Sequence, residues 1–171
     1  MWIQKPKMRK ANVDCMWKDV HSCEQGIFSS EKYHFMADTG YSGTPLIKKL
    51  GIKPKMKILV VNKPGEYFEW LGADISDQFV IKNEIPDLIH LFAESLAIFK
   101  KEMIPVLKFS RKNTSVIVWV SWYKKGSMLS TDLSENMIRD FALQNNLVDI
   151  KVCAVSKEWS GLKLVVPVSK R

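Results

Sequence analysis

Ser115 to Lys125 reads SVIVWVSWYKK, and no other stretch limits the fold so sharply. Its first half is apolar and rich in β-branched valine and isoleucine, with no turn former. A strand buried on both faces of a parallel sheet reads this way, because helices cover it from either side. The run then stops in a Ser-Trp-Tyr-Lys-Lys cluster, with Gly126 just beyond. Ligands of open α/β sheets sit at the carboxyl ends of strands, so this end is also the expected functional edge.

The rest of the chain supplies partners for such a strand. Thr44-Pro45-Leu46-Ile47-Lys48-Lys49-Leu50-Gly51 predicts a short helix, with Thr44 as cap, Pro45 in the first turn and Gly51 at the left-handed stop. Ile58 to Asn62 reads as the first strand and Glu66 to Leu71 as a short helix. Phe79 to Lys82 reads as a weak second strand and Asp87 to Ala93 as a third. Glu94 to Phe109 has Leu96, Phe99, Met103 and Leu107 at helical spacing, and Pro105 should kink or divide that helix. Asp132-Leu133-Ser134-Glu135 has the form of a capping box, with Leu133, Met137, Ile138 and Phe141 as the buried stripe. Val148 to Val155 and Leu162 to Val168 are the last strands, turned at Trp159-Ser160-Gly161. Strand and helix alternating up to a closing hairpin predict an α/β, Rossmann-like three-layer fold. Its sheet would be mostly parallel, with a C-terminal antiparallel hairpin.

At 171 residues the chain has room for one sizeable core. Residues 1–35 show no sustained period and read as a disordered extension or a start placed too early, with Met36 opening a single domain over 36–171. Cys15, His21, Cys23 and His34 fall there, and their spacing matches no zinc pattern. Three cysteines without a framework point to a reduced cytoplasm, and no apolar run reaches a membrane span. The net charge of +8 favours anionic partners, but it is spread out rather than striped with aromatics, which ranks nucleic acid last.

YSGTPLIKKLGIK at 41–53, WVSWYKK at 119–125, TDLSE at 131–135 and LVDIKVCAVSKEWSGLKLVV at 147–166 together resemble one bacterial family of short proteins. That family is catalogued as a domain of unknown function (number three thousand and fifty-two). The resemblance covers Gly40 to Val166, departs from the pattern at Tyr123, where proline is usual, and implies no activity. A looser resemblance is to the second half of class I methyltransferases, carried by Asp87-Leu88-Ile89-His90, Val116 to Ser121 and the terminal hairpin. It implies S-adenosylmethionine as an alternative cofactor, held by Asn62 and Glu84. The loop Asn62-Lys63-Pro64-Gly65-Glu66, however, has one glycine where those enzymes have a glycine-rich turn.

The candidate site residues gather at the end of the central strand. Lys124 and Lys125, close to a helix start at Thr131 or Asp132, could hold an anion, although Asp132 already brings negative charge there. Trp122 and Trp159 at turns could stack on a ring, or simply cover the end of a small core. His90, on the strand face of Leu88 and Phe92, reads as a hydrogen-bonded core histidine, and Cys153 as an inert strand thiol. Tyr41-Ser42-Gly43-Thr44 could cradle a phosphate, but capping explains it. The resulting expectation is a small binding or regulatory module without a cofactor. It would take an anionic small molecule or a protein partner at a rim of Ser121, Trp122, Lys124, Lys125, Thr131 and Trp159.

Overall fold

Side chains along β3 (Ile117–Tyr123) alternate between two separate cores. Val118, Val120 and Trp122 point into one; Trp119 and Tyr123 point into the other. The computed structural model describes residues 43–80 and 84–171, and β3 lies at the middle of its five-stranded sheet. β1 (Ile58–Val61) and β2 (Leu88–Phe92) lie on one side of it. β5 (Trp159–Val165) and β4 (Val148–Ala154) lie on the other, giving the order β1-β2-β3-β5-β4.

Helices cover both faces. α3 (Leu96–Lys112) and α4 (Glu135–Gln144) bury Phe99, Met103, Val106, Ile138 and Ala142 against the first core. α1 (Leu46–Leu50) and α2 (Tyr67–Leu71) bury Leu46, Leu50, Tyr67 and Leu71 against the second. Each such aliphatic or aromatic side chain taken from water contributes roughly 1.5–3 kcal/mol, so short helices hold by their buried face rather than by their length. Gly51 ends α1 in the left-handed region at φ 79°, which leaves the Leu50 carbonyl free to accept from Trp119 Nε1 at 2.9 Å.

The expectation of a mostly parallel, Rossmann-like sheet is corrected. Only β1–β2 and β2–β3 pair parallel, whereas β5 pairs antiparallel with both β3 and β4. Two causes combine. Phe79 makes a single parallel bridge to Ile58, so the second strand expected at Phe79–Lys82 adds no ladder among the described residues. And β5, the return strand of the hairpin, lies between β3 and β4, so two antiparallel ladders stand against two parallel ones.

Smaller corrections follow the same logic. Trp159-Ser160-Gly161 is strand, and the turn lies just before it at Ser156 to Glu158. α3 runs through Pro105 to Lys112 without division. Its proline removes one backbone donor, and the buried stripe on either side holds the helix together. α4 begins at Glu135 with Ser134 as its cap, so Leu133 is buried outside the helix and Met137 faces outward, 42 % exposed. Pro45, not Thr44, occupies the cap position of α1. Among the described residues no helix is long and apolar enough to cross a membrane. The expectation for residues 1–35 lies outside the described residues.

Candidate functional site

Three loops leave the same end of the sheet and enclose a cleft of about 870 Å³. The first follows β1, where Asn62, Lys63, Pro64, Gly65 and Glu66 lead into α2. The second begins at Tyr123 and runs through Lys124 and Lys125 to Leu129. The third is the β4–β5 turn, Lys157 to Trp159. Glu94, just past the end of β2, and Trp70 of α2 complete the lining. The volume falls within the usual range for small-molecule sites.

Local chemistry fixes each part. Asn62 takes φ 55°, a left-handed conformation that asparagine tolerates, and its Nδ2 donates to the Phe92 carbonyl at 3.1 Å. That bond clamps the carboxyl ends of β1 and β2 together. Lys124 is held twice. Its backbone N–H donates to the Glu158 carbonyl at 2.8 Å and its Nζ to the Ser156 carbonyl at 2.6 Å. Partial burial draws the Lys124 ammonium below its ordinary pKa; Glu158 opposes that shift and Lys49 adds to it. Tyr123 packs on Trp159 at a tilt of 47° with ring centroids 4.3 Å apart, and Trp159 meets Phe92 edge-on at 5.1 Å. Burial, then the charge and hydrogen bond of Glu94, push the Tyr123 hydroxyl above its ordinary pKa.

The cleft brings together Asn62, Lys124, Lys125 and Trp159 from the candidate set. The remaining candidates go elsewhere. Ser121 is fully buried, and its Oγ lies 2.8 Å from His90 Nε2. Trp122 is buried in the core on the opposite sheet face. Thr131 Oγ1 donates to the Glu94 carbonyl at 2.8 Å and accepts from Leu133 N–H at 3.1 Å, a tie between loops rather than a ligand contact. Glu84 pairs with Lys57 at 3.3 Å, before the start of β1. Asn62 follows its end, about 16 Å further along an extended strand, so Asn62 and Glu84 are not brought together to hold one cofactor. Cys15, His21, Cys23, His34, Tyr41 and Ser42 lie outside the described residues.

The helix-terminus reading also changes. Asp132 does not cap α4; its Oδ1 accepts from Leu96 N–H at 2.8 Å, at the start of α3. Ser95 Oγ accepts from Ile98 N–H at 3.3 Å, so that helix end is already satisfied. The starts of α3 and α4 are therefore taken by side chains, and the positive charge in the cleft comes from its lysines.

Below the cleft floor is a sealed polar chain. Tyr67 Oη lies 3.0 Å from His90 Nδ1, and Ser121 Oγ closes the other ring nitrogen. Burial pulls the His90 pKa down to about 3 and raises that of the Tyr67 hydroxyl, so all three groups are neutral. The expectation of a hydrogen-bonded core histidine holds. Cys153 is half-buried in β4, and burial raises its thiol pKa, in keeping with an inert thiol.

Lys63, Trp70, Glu94, Tyr123, Lys157 and Glu158 line the cleft and were not anticipated. The carboxyl-end rule that points to Lys124 after β3 points equally to Lys63 after β1 and Glu94 after β2.

No family model matches this chain, and no curated protein does. Among solved structures, an uncharacterized protein from Listeria monocytogenes serotype 4b is similar at 10% identity. The match covers 73% of this chain and 68% of the other, with a TM-score of 0.45.

Proposed function

We propose that this chain is a small binding protein that holds an anionic small molecule in the cleft at the carboxyl ends of β1, β2 and β3. One observation carries the reading: Lys63, Lys124, Lys125 and Lys157 line a single concave site from three separate loops, Lys63 with its Nζ over the Phe68 ring and Lys124 with its Nζ on the Ser156 carbonyl. A concave site of this size suits a small molecule better than a flat protein surface does. Binding is preferred to catalysis because His90, the sole histidine among the described residues, is buried beneath the floor with both nitrogens engaged. The sparse cysteines are in keeping with a reduced compartment such as the cytoplasm.

The test compares the wild-type chain with Lys124→Ala/Lys125→Ala and with Lys125→Ala/Lys157→Ala. Calorimetric titration uses inorganic phosphate, citrate and nucleoside monophosphates as probes. Each lysine removed from a charge-assisted contact should weaken binding about tenfold, near 1.4 kcal/mol. The second pair leaves the Lys124–Ser156 bond intact, so a general loss of fold cannot mimic the result. Equal binding by all three proteins, or binding of no anion at millimolar concentration, would refute the reading.

A further inference from the structure

A plain anion is a poor match for this cleft. Beside the four lysines its lining carries Glu66, Glu94 and Glu158, so the net charge of the lining is only about one positive. Three carboxylates repel a bare phosphate nearly as effectively as the lysines attract it. A ligand that carries hydrogen-bond donors as well as an anionic end turns that repulsion into contacts, because each carboxylate offers several acceptor positions. Glu94 is the best placed of the three. It sits between the loops at the end of β2, and its bond with Tyr123 leaves acceptor positions unused.

The lining also carries aromatic rings. Trp70 and Tyr123 are half-buried and face it, and the buried Trp159 sets the tilt of Tyr123 from behind. Held rings at a ligand site provide π faces on which a planar heterocycle can stack. The Tyr123 ring packs on the second core through Trp159, while its hydroxyl, bonded to Glu94, ends at the cleft.

Resting on the anion-binding reading above, we infer that the ligand is a nucleoside phosphate. Its base stacks on Tyr123 and Trp70, its sugar hydroxyls donate to Glu94, and its phosphate is held by Lys125 and Lys157. Ring, donors and anion in one molecule account for the three kinds of side chain that the cleft combines.

The experiment follows tryptophan fluorescence and heat on titrating the full chain with the four common nucleoside 5′-monophosphates, ribose 5-phosphate, adenosine and S-adenosylhomocysteine. At least one monophosphate should bind tenfold or more tightly than ribose 5-phosphate or adenosine. Tyr123→Ala should bring it down to the level of ribose 5-phosphate while leaving ribose 5-phosphate unchanged, and Trp70→Ala provides the same comparison from a second element. Glu94→Gln should weaken the nucleotide while inorganic phosphate binds as tightly or more tightly, because one repelling charge is gone. Ribose 5-phosphate binding as tightly as every nucleotide would overturn the ring assignment and leave the anion site standing. S-adenosylhomocysteine binding without any nucleotide would overturn the phosphate assignment. No binding of any phosphate would overturn the nucleotide assignment, and no binding of citrate either would overturn the anion-binding reading as well.

Discussion

His90 shows how one buried residue sets a pH dependence for the whole protein. Its folded pKa of about 3 lies below the ordinary 6.5, so below pH 6.5 the unfolded chain takes up a proton that the folded chain refuses. Its contribution to stability is therefore complete above pH 6.5 and is lost as the pH falls from 6.5 towards 3. His90→Gln keeps a polar group between Tyr67 and Ser121 but does not titrate. The stability difference between wild type and His90→Gln, from urea unfolding, should shift by about 2–3 kcal/mol between pH 6.5 and 4.5, against the wild type. A difference constant over that range would show that His90 is not sealed. Gly161 lies beside the same chain: a methyl there would stand 2.9 Å from Val155 Cγ2 and 3.2 Å from Ser121 Oγ. Gly161→Ala should cost about 1–3 kcal/mol by overpacking, and Ser121→Ala should restore only part of it because the Val155 contact remains. The sequence placed His90 correctly, since strand alternation assigns it to the face of Leu88 and Phe92. It misplaced Ser121, because the strand continues to Tyr123. Ser121 lies two residues inside that end and is a core residue rather than a rim residue.

At the scale of elements, local signals were read well and long-range ones were not. The capping pattern at Asp132-Leu133-Ser134-Glu135 does mark a helix start, and Ser134 Oγ accepts from Met137 N–H at 3.4 Å. What a local pattern cannot show is that Asp132 turns instead to α3, thirty-six residues back, and binds Leu96 N–H. The pairing exists only because the loops after β2 and β3 leave the same sheet end, a consequence of the parallel β2–β3 register. Asp132→Ala should therefore cost about 1 kcal/mol, a typical cap loss, while Asp132→Asn retains most of it. The readout that identifies the cause is amide hydrogen exchange. Protection should fall in the first turn of α3 and not in α4; faster exchange in α4 instead would return Asp132 to its local role. The same geometry explains why the cleft was only half legible. Lys124 and Trp159 could be assigned to strand ends one at a time, but their meeting with Lys63 and Glu94 depends on three loops converging.

For the whole molecule, the decisive fact is where β5 sits. The closing hairpin was legible, because two apolar runs separated by a few residues leave little alternative. Its order in the sheet was not spelled out, although composition carried a hint. β4 includes Asp149 and Lys151 and has no buried residue, as suits an outer strand, whereas β5 places Leu162 and Leu164 in the core. The last strand of the chain is thus an interior strand, bonded to β3 on one side and to β4 on the other. Removing residues 156–171 would leave β3 with an open edge, strip β4 of its partner, and uncover Trp119 and Val120. Such a chain should show no cooperative urea transition, whereas removing 168–171, a single turn beyond β5, should leave the transition in place. Supplying 156–171 as a separate peptide should restore tryptophan signal and cooperativity, since the missing strand offers backbone bonds to both neighbours at once. If the shortened chain unfolds at the same midpoint as the full one, β5 is peripheral and the cleft cannot depend on the turn that carries Lys157 and Glu158. If it fails and the peptide rescues it, the cleft and the sheet are completed by the same final segment, and ligand binding should return in proportion to the refolded fraction.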